Sequence, residues 1–189
     1  MEQTRPGSAG GDTGYTDLLG RRRVAKDDPI VEALGALDEA NSALGVAKRA
    51  AQDERTRRFI HQAQQDLYEI MAELAMPPEH PKAARIEASF VDWLDRSLAS
   101  VRRRVAIPPK FVLPGASDAS AAIDVARAVV RTAERRLAHL AHAGTLRNPH
   151  SLAYVNRLSL VLYYLARAED VAAGVDFDLA GAPAERPEL

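Results

Sequence analysis

The sequence predicts an all-α protein, a five-helix antiparallel bundle behind an irregular, glycine-rich N-terminal segment. Three observations predict it. Five stretches, each about 20 residues long, carry apolar residues at alternating spacings of three and four. Breaks containing proline or glycine separate them. No stretch alternates apolar and polar residues as a half-buried strand would, and no internal repeat is visible. At 189 residues the chain is long enough for one domain with a sizeable core.

Residues 1–28 are polar and glycine-rich and end in the basic run GRRRVAKDD, so they are expected to be irregular. Asp28 can cap a helix with Pro29 at its first position, where the missing N–H costs nothing. The first helix then runs from about Pro29 to Gln52, with Leu34, Leu37 and Leu44 inward. The second, about Arg55 to Ala75, keeps Phe59, Ala63, Leu67, Ile70, Met71 and Leu74 at the helical period. MPPEHP stops it, because proline lacks a donor and restricts the residue before it. The third is expected from about Pro81 to Val105, on Phe90, Leu94, Leu98, Val101 and Val105.

After the break PPKFVLPG, Ser117 can cap a fourth helix lasting to about His142. Its apolar stripe is Ile123, Ala126, Val130, Ala133, Leu137 and Leu140. GTLRNP ends it, and a fifth helix spans about Pro149 to Ala172, on Leu152, Val155, Leu162 and Leu165. The expected division is residues 1–28 as an N-terminal loop, 29–172 as the bundle and 173–189 as an irregular tail.

Composition narrows the function classes. Net charge is −1, from 25 basic and 26 acidic side chains, so no global field draws the chain to nucleic acid or to an anionic membrane. Any basic site must be local. There is no cysteine, which excludes disulfides, thiolate metal sites and cysteine nucleophiles. No apolar run approaches the length of a membrane span, and the N-terminus has no signal-peptide core. A soluble, cytoplasmic protein is expected.

The fourth helix stacks Arg127, Arg131 and Arg135 at spacings of four. Like charges so placed repel by a few tenths of a kcal/mol per pair, and the local acids, Asp124 and Glu134, are too few to neutralise the row. Either the row is a solvated, salt-bridged face, or it awaits an oligoanion such as a polyphosphate. In GGDTGYTDLLGRRRVAKDD, glycines would let backbone N–H groups approach phosphate, with Thr13, Thr16 and Lys26 as further donors. The same stretch also reads as a merely flexible terminus, and it is no P-loop. Asp38 and Asn41 share a face of the first helix. They are either ordinary surface groups or a holder for an arginine of the fourth. Asn156, inside an apolar stretch, is a bundle-specifying amide or a ligand contact. His139 and His142 suit a helix C-terminus as cations and form no catalytic set. Serine-hydrolase and zincin motifs are absent.

Taken in order, six segments resemble the PduO-type ATP:cob(I)alamin adenosyltransferases over roughly residues 7–170. They are GDTGYT (11–16), KDD (26–28), GALDEAN (35–41), FVLPG (111–115), ARAVVRTAER (126–135) and NRLS (156–159). The resemblance implies a ferritin-like, cobalamin adenosyltransferase-like bundle that forms a homotrimer with active sites between subunits. It implies attack of Co(I) of cobalamin on C5′ of ATP, with release of triphosphate and no protein general base. ATP and cobalamin are then substrates, and Mg2+ rides mainly on the ATP phosphates.

The site residues follow from the same resemblance. The arginines of the fourth helix would meet the triphosphate, with Arg131, Glu134 and Arg135 in the ATP site. Gly10, Gly11, Asp12, Gly14 and Thr16 of a neighbouring subunit would wrap the nucleotide, aided by Lys26, and Asn156 would touch it. Asp38 would pair with Arg127, while Phe111 and Phe177 would face cobalamin. The expected catalytic set is therefore Arg131, Phe111, Asp38 and Arg127. A reductase and an adenosylcobalamin-dependent enzyme are the implied protein partners. Three positions depart from the family pattern: SAGG replaces its Thr-x-Thr-Gly start, Asp124 a histidine, and Thr132 the second arginine of a pair. They keep a second reading open, that of a non-catalytic ATP- or adenosylcobalamin-binding sensor or delivery protein of the same fold.

Overall fold

The structure is a computed structural model, and it describes residues 11–77, 80 and 85–181. Five helices make up the bundle: α1 (Pro29–Ala50), α2 (Glu54–Ala75), α3 (Ala88–Arg102), α4 (Asp118–His142) and α5 (Pro149–Ala172). Side-chain caps set four of the starts. Asp28 accepts from Ile30 N–H at 2.8 Å, Asp53 from Arg55 N–H at 2.8 Å, and Asn148 from His150 N–H at 3.0 Å. Ser117 and Ser120 form a reciprocal capping box.

α1 lies against α2 and α4, and α5 lies against α4 and α3. The core is aliphatic, with Leu37, Leu44, Ile60, Ile70, Leu94, Ile123, Leu137, Leu158 and Leu162 fully buried. Alanines at 33, 36, 40, 126 and 133 are also buried and let α1 and α4 approach closely. Glu32 at the start of α1 pairs with Arg136 near the end of α4 at 3.3 Å, so these two helices run antiparallel. No described helix is long and apolar enough to cross a membrane.

Buried carboxylates clasp the ends of the bundle. Glu73, 3 % exposed, accepts from Arg85 N–H, Asn148 Nδ2 and Ser151 Oγ at 2.8–2.9 Å. Glu169 takes Gln52 N–H at 2.8 Å, which ends α1 two residues before the expected Gln52. Asp66 accepts from Gln62 Nε2 at 2.8 Å and from the Tyr154 hydroxyl at 2.7 Å. Each satisfies donors that burial would otherwise leave unpaired.

Three segments differ from the sequence expectation. α3 begins at Ala88 rather than Pro81; residues 81–84 lie outside the described residues, and 85–87 are not helical. The Arg85 and Ile86 N–H groups turn sideways to Glu73, and the Ile86 side chain plugs the core. Within the supposedly irregular N-terminus, β1 (Tyr15–Leu18) pairs antiparallel with β2 (Arg21–Ala25). Its turn is possible because Gly20 takes a positive φ of 78°. In the tail, Val112 bridges Leu179, flanked by Leu113 N–H to Asp178 C=O and Ala180 N–H to Phe111 C=O, both at 2.8 Å.

Candidate functional site

The arginine row sits where the helical period of α4 places it, beside the stripe that buries Ile123, Ala126, Val130, Ala133 and Leu137. Its members are held differently. Arg127 donates Nε to Asp124 Oδ1 at 3.2 Å and lies over the Tyr163 ring, 5.9 Å from its centroid. Arg135 donates to the Thr132 hydroxyl at 2.9 Å. Arg131 is exposed, with no hydrogen bond or ion pair among the described residues. One turn on, Glu134 faces Asn156 of α5. With the Asn156 amide turned to suit its neighbours, Nδ2 donates to Glu134 Oε1 at 3.3 Å and Oδ1 accepts from Arg157 Nη1 at 3.3 Å. Asn156 is exposed, so it is no core amide that specifies the bundle.

Asp38 does not pair with Arg127 in the protomer. It is exposed on α1, while Asp124, one turn before Arg127 on α4, takes the Arg127 guanidinium. Its neighbour Asn41 is half-buried, and the Asn41 Oδ1 has no partner.

The N-terminal residues gather at a second face. Gly11 lies against Lys26, and a Cβ there would meet Lys26 Nζ at 2.9 Å. Lys26 N–H donates to Gly14 C=O at 2.9 Å, which closes the segment into a loop. Asp12 is exposed beside it, and Gly10 lies outside the described residues. Thr16 and Lys26 line a cleft of about 400 Å³ with Glu32, Gly35 and Glu39 of α1 and Thr132 and Arg136 of α4. The cleft draws Thr132 and Arg136 from α4, not Arg127, Arg131 or Arg135. Arg135 reaches the edge of this cleft through its bond to the Thr132 hydroxyl, whereas Arg127 and Arg131 take no part in its lining.

At the far end of α4, Phe111 is 87 % exposed and Leu113 48 %, an apolar tip that water does not favour. Phe177 lies two residues before Leu179, the residue that bridges Val112, and is half-buried. Among the described residues no group of three His, Asp or Glu side chains could hold a metal ion.

One network escaped the sequence reading. Arg167, 1 % exposed, donates Nη2 to Asp124 Oδ2 at 2.5 Å and Nε to Asp170 Oδ2 at 3.0 Å. Asp170 in turn accepts from the Ser117 hydroxyl at 2.8 Å. The available signal was an arginine and an aspartate three apart inside α5, which is apolar nearly all round. Charges in such a helix must be paired.

A family model described as Cobalamin adenosyltransferase matches residues 8–169. Corrinoid adenosyltransferase PduO of Salmonella typhimurium is 41 % identical over 162 residues, which are 85 % of this chain and 48 % of that protein. The chain thus spans about half the length of the curated PduO proteins it matches first. Corrinoid adenosyltransferase of Mycobacterium bovis is 37 % identical over 167 residues, 83 % of this chain and 84 % of that one. A solved phenylalanine-to-alanine variant of PduO-type ATP:corrinoid adenosyltransferase from Lactobacillus reuteri, complexed with cobalamin and ATP, superposes with a TM-score of 0.83. It is 29 % identical, and the match covers 92 % of this chain and 97 % of that one. The matched residues run from the glycine loop through the phenylalanine tip and the arginine helix into α5, and the chain belongs to the cobalamin adenosyltransferase family.

Proposed function

We propose that this chain is a corrinoid adenosyltransferase, transferring the 5′-deoxyadenosyl group of ATP to Co(I) of cobalamin and releasing triphosphate. Family membership supports the reaction class. The observation that carries the reading is Arg131, an exposed cation without a partner among the described residues, midway along a row of three arginines. A triphosphate laid along α4 would turn their mutual repulsion into charge-assisted hydrogen bonds. Triphosphate gains charge as it leaves, so Arg131 and Arg135 would stabilise the transition state more than the ground state. Glu134 and Asn156, already facing each other, would border the nucleotide. Mg2+ would arrive on the phosphates and neutralise them there. No step is assigned to a protein-held metal.

Gly11, Asp12, Gly14, Thr16 and Lys26 would wrap the nucleotide of a neighbouring copy, in a homotrimer in the cytoplasm. That the cleft beside Thr16 and Lys26 takes in neither Arg127 nor Arg131 of the same copy supports this. Residues 1–28 then form the nucleotide-wrapping segment. Phe111 would cover the lower face of cobalamin and keep water and other axial ligands off cobalt, which eases reduction of Co(II) to Co(I). A reductase would deliver that electron, and an adenosylcobalamin-dependent enzyme would take the product.

Arg131→Ala tests the carrying observation. It should lower kcat/KM for ATP by the roughly 1.5–3 kcal/mol of a hydrogen bond to a charged group, about tenfold or more, with the fold intact. An unchanged kcat/KM would remove Arg131 from the site.

A further inference from the structure

Asp66 is a buried carboxylate without a cation. It is 3 % exposed, and its two partners are neutral donors. Gln62 Nε2 donates to Oδ1 at 2.8 Å and the Tyr154 hydroxyl to Oδ2 at 2.7 Å. No ion pair includes it among the described residues. Arg85, which meets α2 one turn on, is bound to Glu69 instead. Glu73, equally buried, differs in that four donors converge on it: the Arg85 and Ile86 N–H groups, Asn148 Nδ2 and Ser151 Oγ. Asp66 also lines a cleft of about 340 Å³ between α2 and α3, with Gln62 of α2 and Ser89, Phe90 and Trp93 of α3. Trp93 stacks on Phe59 of α2, with ring centroids 4.9 Å apart and planes 16° from parallel, so its indole is braced from across the groove.

We infer that this cleft binds an alkylguanidinium or alkylammonium group, whose charge pairs with Asp66 and whose stem lies against Phe90 and Trp93. A buried charge is costly unless it is paired. A carboxylate offers about four acceptor sites, and Gln62 and Tyr154 fill two. Water could take the remaining sites but would leave the charge unbalanced. An anion would meet Asp66 with no cation in the lining to offset it. Aromatic rings attract cations, and a methylene stem covers apolar wall while its head stays polar. The cleft is at the low end of the roughly 300–1,000 Å³ of ligand pockets, which suits one group of side-chain size. Its walls belong to α2 and α3, whereas the glycine loop, the arginine row and Phe111 stand on other segments. The cation site is therefore separate from the proposed adenosyl transfer.

Trp93 is the one tryptophan of the chain, so its fluorescence reports on this cleft alone. The test titrates the full chain with n-butylguanidinium, n-butylammonium and n-butanol at constant ionic strength. The two cations should give a saturable change in Trp93 emission, and the neutral alcohol should bind at least tenfold more weakly. Asp66→Asn keeps an acceptor for the Tyr154 hydroxyl and removes the charge. It should weaken both cations about tenfold or more, the scale of a hydrogen bond to a charged group. Gln62→Lys serves if the amide variant does not fold. It puts an ammonium where Gln62 already reaches Asp66, so it should raise the melting temperature and abolish the response to added cation. The peptide acetyl-Ala-Ala-Arg-Ala-Ala-amide separates the sources. Tighter binding of the peptide than of n-butylguanidinium assigns the cleft to a partner protein's side chain, and the reverse to a small molecule; both uphold the site. No saturable response to either cation overturns the inference. So does a response to n-butanol equal to that of the cations, or parent-like cation affinity in the folded Asp66→Asn or Gln62→Lys variant.

Discussion

Tyr154 shows how a single side chain holds this core. It is fully buried, and its hydroxyl donates to Asp66 at 2.7 Å. Tyr154→Phe would leave that carboxylate oxygen without its donor inside the bundle, at a cost of about 1–3 kcal/mol. Urea unfolding should show the loss as a lower midpoint at unchanged slope. Burial first, and then the Asp66 charge and hydrogen bond, push the Tyr154 phenol well above the usual 10.0. The neutral phenol is thus the native form. Its contribution is whole below about pH 10 and is lost as pH rises through the higher folded value. Tyr154→Phe should accordingly flatten the alkaline limb of the stability profile. At this scale the exposed cations were legible, because Arg127, Arg131 and Arg135 follow from spacing alone. The Asp124 and Arg167 pair was not, since its members stand 43 residues apart and only the packing of α4 on α5 brings them together.

At the scale of elements, caps and proline breaks fixed what the chain could do locally. α4 and α5 run within a residue of the expected bounds because Ser117, Asn148 and Pro149 mark their starts. The β1–β2 hairpin was invisible for a physical reason. GRRRV offers no apolar alternation, and the pairing depends on the turn conformation of Gly20 rather than on a buried face. α3 started late because Glu73, on another helix, claims the backbone that would have begun it. The hairpin anchors the glycine loop on Lys26, so this element should serve the nucleotide and not the bundle. Deleting residues 1–16 should weaken ATP at least tenfold while cobalamin affinity and melting temperature stay near those of the full chain. Separate titrations of the two ligands check this, and equal losses for both would assign the segment to the fold instead.

For the whole molecule, the helix count and topology were readable from periodicity, whereas assembly was not, because it depends on contacts between copies that no pattern within one chain encodes. The proposed closure by a neighbour predicts three copies in solution at micromolar concentration. Light scattering after gel filtration measures this directly, and a monomer would leave each site half built. The central claim is that the assembled chain makes a cobalt–carbon bond at the expense of ATP, and does not merely hold the two ligands. The most direct test is anaerobic incubation of the full chain with pre-reduced Co(I) cobalamin, ATP and magnesium, followed by absorbance and by phosphate analysis. The account predicts a light-sensitive adenosylcobalamin spectrum growing over many turnovers, with one triphosphate released per product. Tight binding of ATP and cobalamin with neither product nor triphosphate would contradict it, and would make this chain a binding protein on the same fold.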